Sequence, residues 1–142
     1  MTGVQTCALP ISSKKAKLLQ KTLSTVSYEK TGNELISKLK FLNELNTNKP
    51  KFNINYHKNS TPITFSNPNL IIVDKGRTVS ENSIILIENN KLLGFCFVDL
   101  EYQINHIEIL KSLITTLPNN IENRFIVKNY LQKYKVEKII RF

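Results

Sequence analysis

The apolar positions of this chain follow two rhythms, one helical and one strand-like. Between Ser13 and Thr25, Leu18, Leu19 and Leu23 form a stripe at helical spacing, while Lys14, Lys15, Lys17 and Lys21 cover other faces. Thr25 to Lys30 then alternates, with Val26 and Tyr28 on one face, which predicts a short strand. Thr31-Gly32-Asn33-Glu34 has the spacing of a capping box: the Thr31 hydroxyl can accept from the Glu34 amide, and the Glu34 carboxylate can reach back. A helix is predicted from Gly32 to Asn46, with Leu35, Leu39 and Leu42 on its core stripe. Pro50 blocks its continuation, because proline supplies no amide donor.

From Tyr56 to Pro68 no period persists, and Pro62 and Pro68 punctuate a polar stretch that reads as a linker. Strand-like runs follow at Leu70–Asp74, Ser83–Glu88 and Lys91–Val98. Asn89-Asn90 joins the last two, and asparagine tolerates positive φ, so a tight antiparallel hairpin is predicted. Ile107, Leu110 and Ile114 mark a short helix. Asn119 or Asn120 can cap another from Ile121 to Lys135, with Phe125, Ile126, Tyr130 and Tyr134 facing inward. Val136–Phe142 closes as a strand. The expected fold class is α+β: a helix-strand-helix unit, then a small mixed domain with an antiparallel hairpin, two helices and a C-terminal strand.

Charge sharpens this picture. The 142 residues carry a formal net charge of +9. Residues 13–60 hold ten lysines against three glutamates, whereas residues 61–142 hold ten Lys or Arg against eight Asp or Glu. The basic excess therefore falls on the first part. Clustered positive charge suits phosphate-backbone binding, because each neutralised phosphate releases condensed counterions. The plainer reading is a lysine-rich solvated surface. No apolar run approaches the roughly 18 residues of a membrane span, so no membrane partner is expected.

The leader and the cysteines say less. Thr2–Ile11 resembles the translation of a sequencing adapter, so residues 1–12 are expected to be an artefactual, disordered leader. A signal peptide fits poorly: residues 1–12 contain no Lys or Arg, and Pro10 interrupts the apolar run. Setting Cys7 aside leaves Cys96, inside the strand-like Gly94–Val98, as a buried and inert thiol. Such cysteine usage fits a reducing cytoplasm.

Two stretches carry a family resemblance. Thr31-Gly32-Asn33-Glu34-Leu35, paired with Lys49-Pro50-Lys51-Phe52-Asn53, resembles the last helix and exit of a GIY-YIG endonuclease domain, the module found in the excision-repair nuclease UvrC. The resemblance implies cleavage of phosphodiesters with one divalent metal, Mg or Mn, held by a single glutamate. That glutamate should lie twelve residues before Asn53, where Phe41 stands instead. Phenylalanine offers no oxygen to a hard cation. Glu34, two helical turns earlier, is a weak substitute and fits better as a cap; Glu44 fits as a solvated side chain. Phe41 either stacks on a base or packs. Asn53 matches the family's exit asparagine. The two strands that supply the tyrosines and the arginine do not occur in this sequence.

The second stretch contains Asp74-Lys75-Gly76-Arg77, Ser83-Ile-Ile-Leu-Ile-Glu-Asn-Asn90, Gly94-Phe95 and Gln103-Ile-Asn105. It resembles the C-terminal region of DNA polymerase III epsilon-like exonucleases of Bacteroidetes-type bacteria, in which an exonuclease domain precedes a GIY-YIG domain and a C-terminal extension. Gly76 permits a turn that either presents Lys75 and Arg77 to phosphate or simply ends a strand. His57 and His106 have no metal-ligand spacing, and no Walker-type glycine pattern occurs.

These resemblances imply four segments: the leader 1–12, a GIY-YIG C-terminal part over 13–55, a linker over 56–68, and an α+β domain over 69–142. The expected function is that of a fragment of a cytoplasmic DNA-processing nuclease, inactive in isolation and without a metal or other cofactor of its own. The alternative is a non-catalytic module that binds nucleic acid or protein. Lys14, Lys15, Lys17, Lys21, Lys38, Lys49, Lys51, Lys75 and Arg77 are the expected DNA contacts.

Overall fold

The structure is a computed structural model that describes residues 14–50 and 62–142. Its centre is a five-stranded antiparallel sheet. Strands β1 (Leu70–Lys75), β2 (Asn82–Glu88) and β3 (Lys91–Val98) form a meander; β4 (Thr115–Thr116) and β5 (Lys138–Arg141) complete the order β4-β3-β2-β1-β5. Helices α1 (Lys14–Thr22) and α2 (Glu34–Asn48) precede the sheet. Helices α3 (Glu101–Ile104) and α4 (Ile107–Leu113) lie between β3 and β4, and α5 (Ile121–Lys133) leads from the β4 edge to β5. The α+β class is as expected.

The meander forms because its strands are apolar on both faces. Leu70, Ile72, Ile85, Ile87, Leu92 and Phe95 pack against Leu35, Ile36, Leu39 and Leu42 of α2 and Ile126 and Val127 of α5. Ile71, Val73, Ile84, Leu86, Cys96 and Val98 pack on the other side with Ile104 of α3 and Leu110 of α4. Helices cover both faces, so these strands read as continuous apolar runs rather than alternating ones. The predicted hairpin is present: Asn89 and Asn90 take φ of 50° and 60°, the left-handed pair that a two-residue turn between twisted strands requires. Between Leu86 and Ile87 the β2–β3 register slips at Gly94. Gly94 has φ +156°, and a Cβ there would sit 2.1 Å from the Thr115 carbonyl oxygen, so only glycine lets β4 approach.

The first helices depart from expectation in informative ways. Helix α2 begins at Glu34, not Gly32, and its cap is Asn33 rather than Thr31: the Asn33 side-chain oxygen accepts from the Ile36 amide at 3.0 Å. Gly32 has φ +78°, which no helical residue adopts. At the other end Lys49 takes the left-handed conformation and donates its amide to the Leu45 carbonyl at 3.0 Å, one residue before Pro50. Residues Thr25–Lys30 form no strand; Val26 and Tyr28 are both exposed. Leu18 of α1 and Leu23 just beyond its end are also exposed, while Ala16 is buried. In α5 Ile126 and Val127 take the core positions and Tyr130 packs against them, but Phe125 and Tyr134 face outward. The last strand is shorter than the predicted Val136–Phe142, and its outer edge pairs with no strand among the described residues.

Packing also bears on how the chain is organised. The α2 leucines and the sheet share one hydrophobic cluster, so α2 and the strands meet in a common core. Residues 62–68, expected to belong to a linker, are tied down. Phe65 is buried, its amide donates to the Asn90 side-chain oxygen at 3.2 Å, and the Arg124 guanidinium lies 4.9 Å over its ring. Arg124 also donates to the carbonyls of Ile63 (2.8 Å) and Asn90 (2.6 Å).

Candidate nucleic-acid interface

The two sequence stretches that carry the resemblances meet at one end of the sheet. Thr31-Gly32-Asn33 approaches Lys75-Gly76-Arg77 so closely that a Cβ on Gly32 would lie 2.5 Å from the Gly76 carbonyl. The Asn33 amide donates to the Lys75 carbonyl (2.8 Å) and to the Ser83 hydroxyl (2.7 Å). Ser83 donates in turn to the Asp74 carbonyl at 3.1 Å. Asp74 is buried; one carboxylate oxygen accepts from the Lys75 amide and the other from the Tyr130 hydroxyl, each at 2.8 Å. Burial, then the bond to Asp74, pushes the Tyr130 hydroxyl well above the ordinary tyrosine range. Sequence reading missed this network because its members lie up to 56 residues apart.

The turn at Gly76 leaves both cations exposed, but only Lys75 outside a salt bridge among the described residues. Lys75 is exposed. Arg77 instead forks onto Glu81: its Nε and backbone amide donate to Oε2 at 2.8 Å and 2.9 Å. Its guanidinium also lies 4.2 Å over the Phe97 ring. Glu81 is 8% exposed, and Arg77 holds its carboxyl below the usual carboxylate range. Arg77 therefore ties the strand-ending turn to the sheet.

The other predicted cations fall into distinct groups. Lys14, Lys17 and Lys21 are exposed on α1, which contains no acidic residue; Lys15 lies on the same helix. Lys49 is exposed at the end of α2. None of Lys14, Lys17, Lys21, Lys49 and Lys75 enters a salt bridge among the described residues. Lys38, by contrast, pairs with Glu34, and Lys40 with Glu29. Lys51 lies outside the described residues.

The positions tied to catalysis behave as structure. Phe41 is half-buried on α2, one turn after Ser37, which is only 1% exposed. Glu34 is not a cap. The Lys38 ammonium pairs with its carboxylate and, with the nearby Tyr134 hydroxyl, holds it below the usual range. His106 is exposed at the start of α4, edge-on to Tyr102 at 6.4 Å. Asn53 and His57 lie outside the described residues. Among those described, no three His, Cys, Asp or Glu side chains gather as a metal site would require. A divalent metal does not fit the family's glutamate position, where Phe41 supplies no oxygen.

An open groove of about 320 Å³ lies across the sheet, between Val73, Ile104 and the carboxylates of Asp99, Glu101 and Glu137. Its charge is wrong for phosphate, and none of the predicted contacts lines it. Burial drives the Cys96 thiol up to about 11, so it is protonated and unreactive at neutral pH. No described helix is long and apolar enough to cross a membrane. No family model, curated protein or solved structure matches the chain.

Proposed function

We propose that this chain is a non-catalytic, nucleic-acid-binding part of a DNA-processing nuclease. The observation that carries the proposal is the set of exposed lysines, Lys14, Lys17, Lys21, Lys49 and Lys75, which enter no salt bridge among the described residues of a chain with net charge +9. An ammonium without a carboxylate neighbour is available to a phosphate, and binding is driven by counterion release. Kinship to a nuclease rests on the resemblance of Thr31–Leu35 and Lys49–Asn53 to a GIY-YIG exit. Absence of cleavage rests on Phe41, which stands where the resemblance places the metal-holding glutamate and offers no oxygen to a cation.

The test uses the full chain and a labelled DNA duplex. Affinity should fall steeply and log-linearly with salt, and magnesium or manganese should produce no cleavage. Binding that ignores ionic strength, or no binding at low salt, defeats the electrostatic reading. Cleavage that survives purification and disappears with chelator defeats the non-catalytic one.

A further inference from the structure

We infer that α1 is the element that carries this contact, as a lysine stripe laid on the phosphate backbone of a duplex. The inference rests on the nucleic-acid reading above and narrows it to one helix face. At about 100° per residue, Lys14, Lys17 and Lys21 fall within an arc of about 60°. Ala16, which is 3% exposed, and the half-buried Leu19 lie on the opposite side. The helix thus turns its small apolar side inward and its lysines outward.

Three further observations assign the face an occupant. First, α1 has no acidic residue, so no carboxylate of its own competes for these ammonium groups. Second, two of the three lysines do not serve the helix, whereas Lys21 lies in its last turn, where positive charge is favoured. Lys14 and Lys17 sit near its N-terminus, where the macrodipole disfavours positive charge, and a bound polyanion would relieve that repulsion. Third, the stripe from Lys14 to Lys21 is about 10 Å long. Duplex DNA presents one phosphate per roughly 1.7 Å of axis, so three lysines meet a denser row of anions than any single ligand offers. An anionic membrane suits the helix less well. With Ala16 and Leu19 turned inward, Leu18 is the single large apolar side chain left exposed within α1, too little area to insert.

The other predicted cations are placed differently. Lys38 and Arg77 are engaged with Glu34 and Glu81, and Lys49 and Lys75 sit singly at element ends. They add to the general field without forming a row.

The experiment measures anisotropy of a labelled mixed-sequence duplex with the full chain across a salt series. Lys14→Gln/Lys17→Gln/Lys21→Gln should lower the slope of log affinity against log salt by about 2–3 and weaken binding at least about tenfold at low salt. Lys49→Gln/Lys75→Gln should change affinity less than about threefold, since scattered contacts add little beyond their share of the field. A Lys→Arg triple variant at the same α1 positions keeps the charge and should restore binding, which separates loss of charge from loss of folding. If the glutamine triple variant binds as wild type does while wild type remains salt-dependent, the α1 assignment is wrong and the nucleic-acid reading survives. If wild type does not bind the duplex at low salt, both fall. If phosphatidylserine vesicles capture wild type more tightly than DNA and the triple variant abolishes that capture, the occupant is a membrane and the inference is overturned.

Discussion

Replacing Gly32 by alanine should destabilise the fold at the point where α2 meets the β1–β2 turn. The sign alone is diagnostic. At an unstrained open position, Gly→Ala stabilises by about 0.4–1 kcal/mol because the unfolded chain loses freedom. Gly32 is neither unstrained nor open: φ is +78°, and the new Cβ would sit 2.5 Å from the Gly76 carbonyl carbon and oxygen and 2.9 Å from the Arg77 nitrogen. The left-handed backbone costs an L-residue about 1–2 kcal/mol. Every atom the Cβ meets is backbone, so relief requires the helix start to move away from the turn. That movement stretches the two bonds from the Asn33 amide to Lys75 and Ser83, at 2.8 Å and 2.7 Å, each worth about 0.5–1.5 kcal/mol net. The total is about 2–5 kcal/mol. In urea, followed by far-UV circular dichroism, the midpoint should drop with little change in m-value. A loss below about 1 kcal/mol, or a gain, would show that the two glycines do not touch and would remove the link between the first helices and the sheet.

Three other outcomes follow from the same structure. Leu39→Ala, at a side chain with no solvent exposure, should cost about 2–5 kcal/mol and leave one unfolding transition; two transitions with only one shifted would refute a core shared by α2 and the sheet. In a Cys7→Ser background, Cys96 should resist Ellman's reagent at pH 8 in the native state and react at once in guanidinium, because burial pushes its thiol up to about 11; rapid native modification would contradict the buried assignment. Glu81 has a folded pKa below its ordinary value of 4.5, so its pairing contributes fully above that value and is lost as pH falls through the lower folded one. Acid melts of Arg77→Gln should therefore be flatter below about pH 4.5 than those of wild type, and parallel curves would show that the pair contributes nothing.

The sheet was more legible than the site. The meander could be read from three apolar runs and one Asn-Asn pair, because local turn chemistry and burial on both faces act on neighbouring residues. The cap of α5 was legible for the same reason: Asn120 accepts from the Asn123 amide three residues on. The start of α2 was misread because Thr31 and Asn33 are both good caps, and the choice is made by Gly76, more than 40 residues away, pressing on Gly32. The inward placing of Phe125 and Tyr134 failed because aromatic spacing does not say which side of a helix the sheet occupies; Ile126 and Val127 took it. Among the candidate contacts, no sequence rule showed that Glu81 would occupy Arg77. Asp74 and Tyr130 carried no visible signal, since a tertiary fold alone brings them together.

Among the described residues no strand pairs with the outer side of β5, and the composition of β5 governs how the protein behaves when concentrated. An unpaired border of backbone donors and acceptors is a template on which a second molecule can build. Lys138 and Arg141 stand at the two ends of β5. Two molecules meeting head to tail along that border would set each lysine against the other's arginine, so repulsion acts before ladder bonds can form. Positive charge at both ends of the strand thus guards the molecule against fibrillar self-association, and a variant that neutralises both ends would be the one to precipitate on storage.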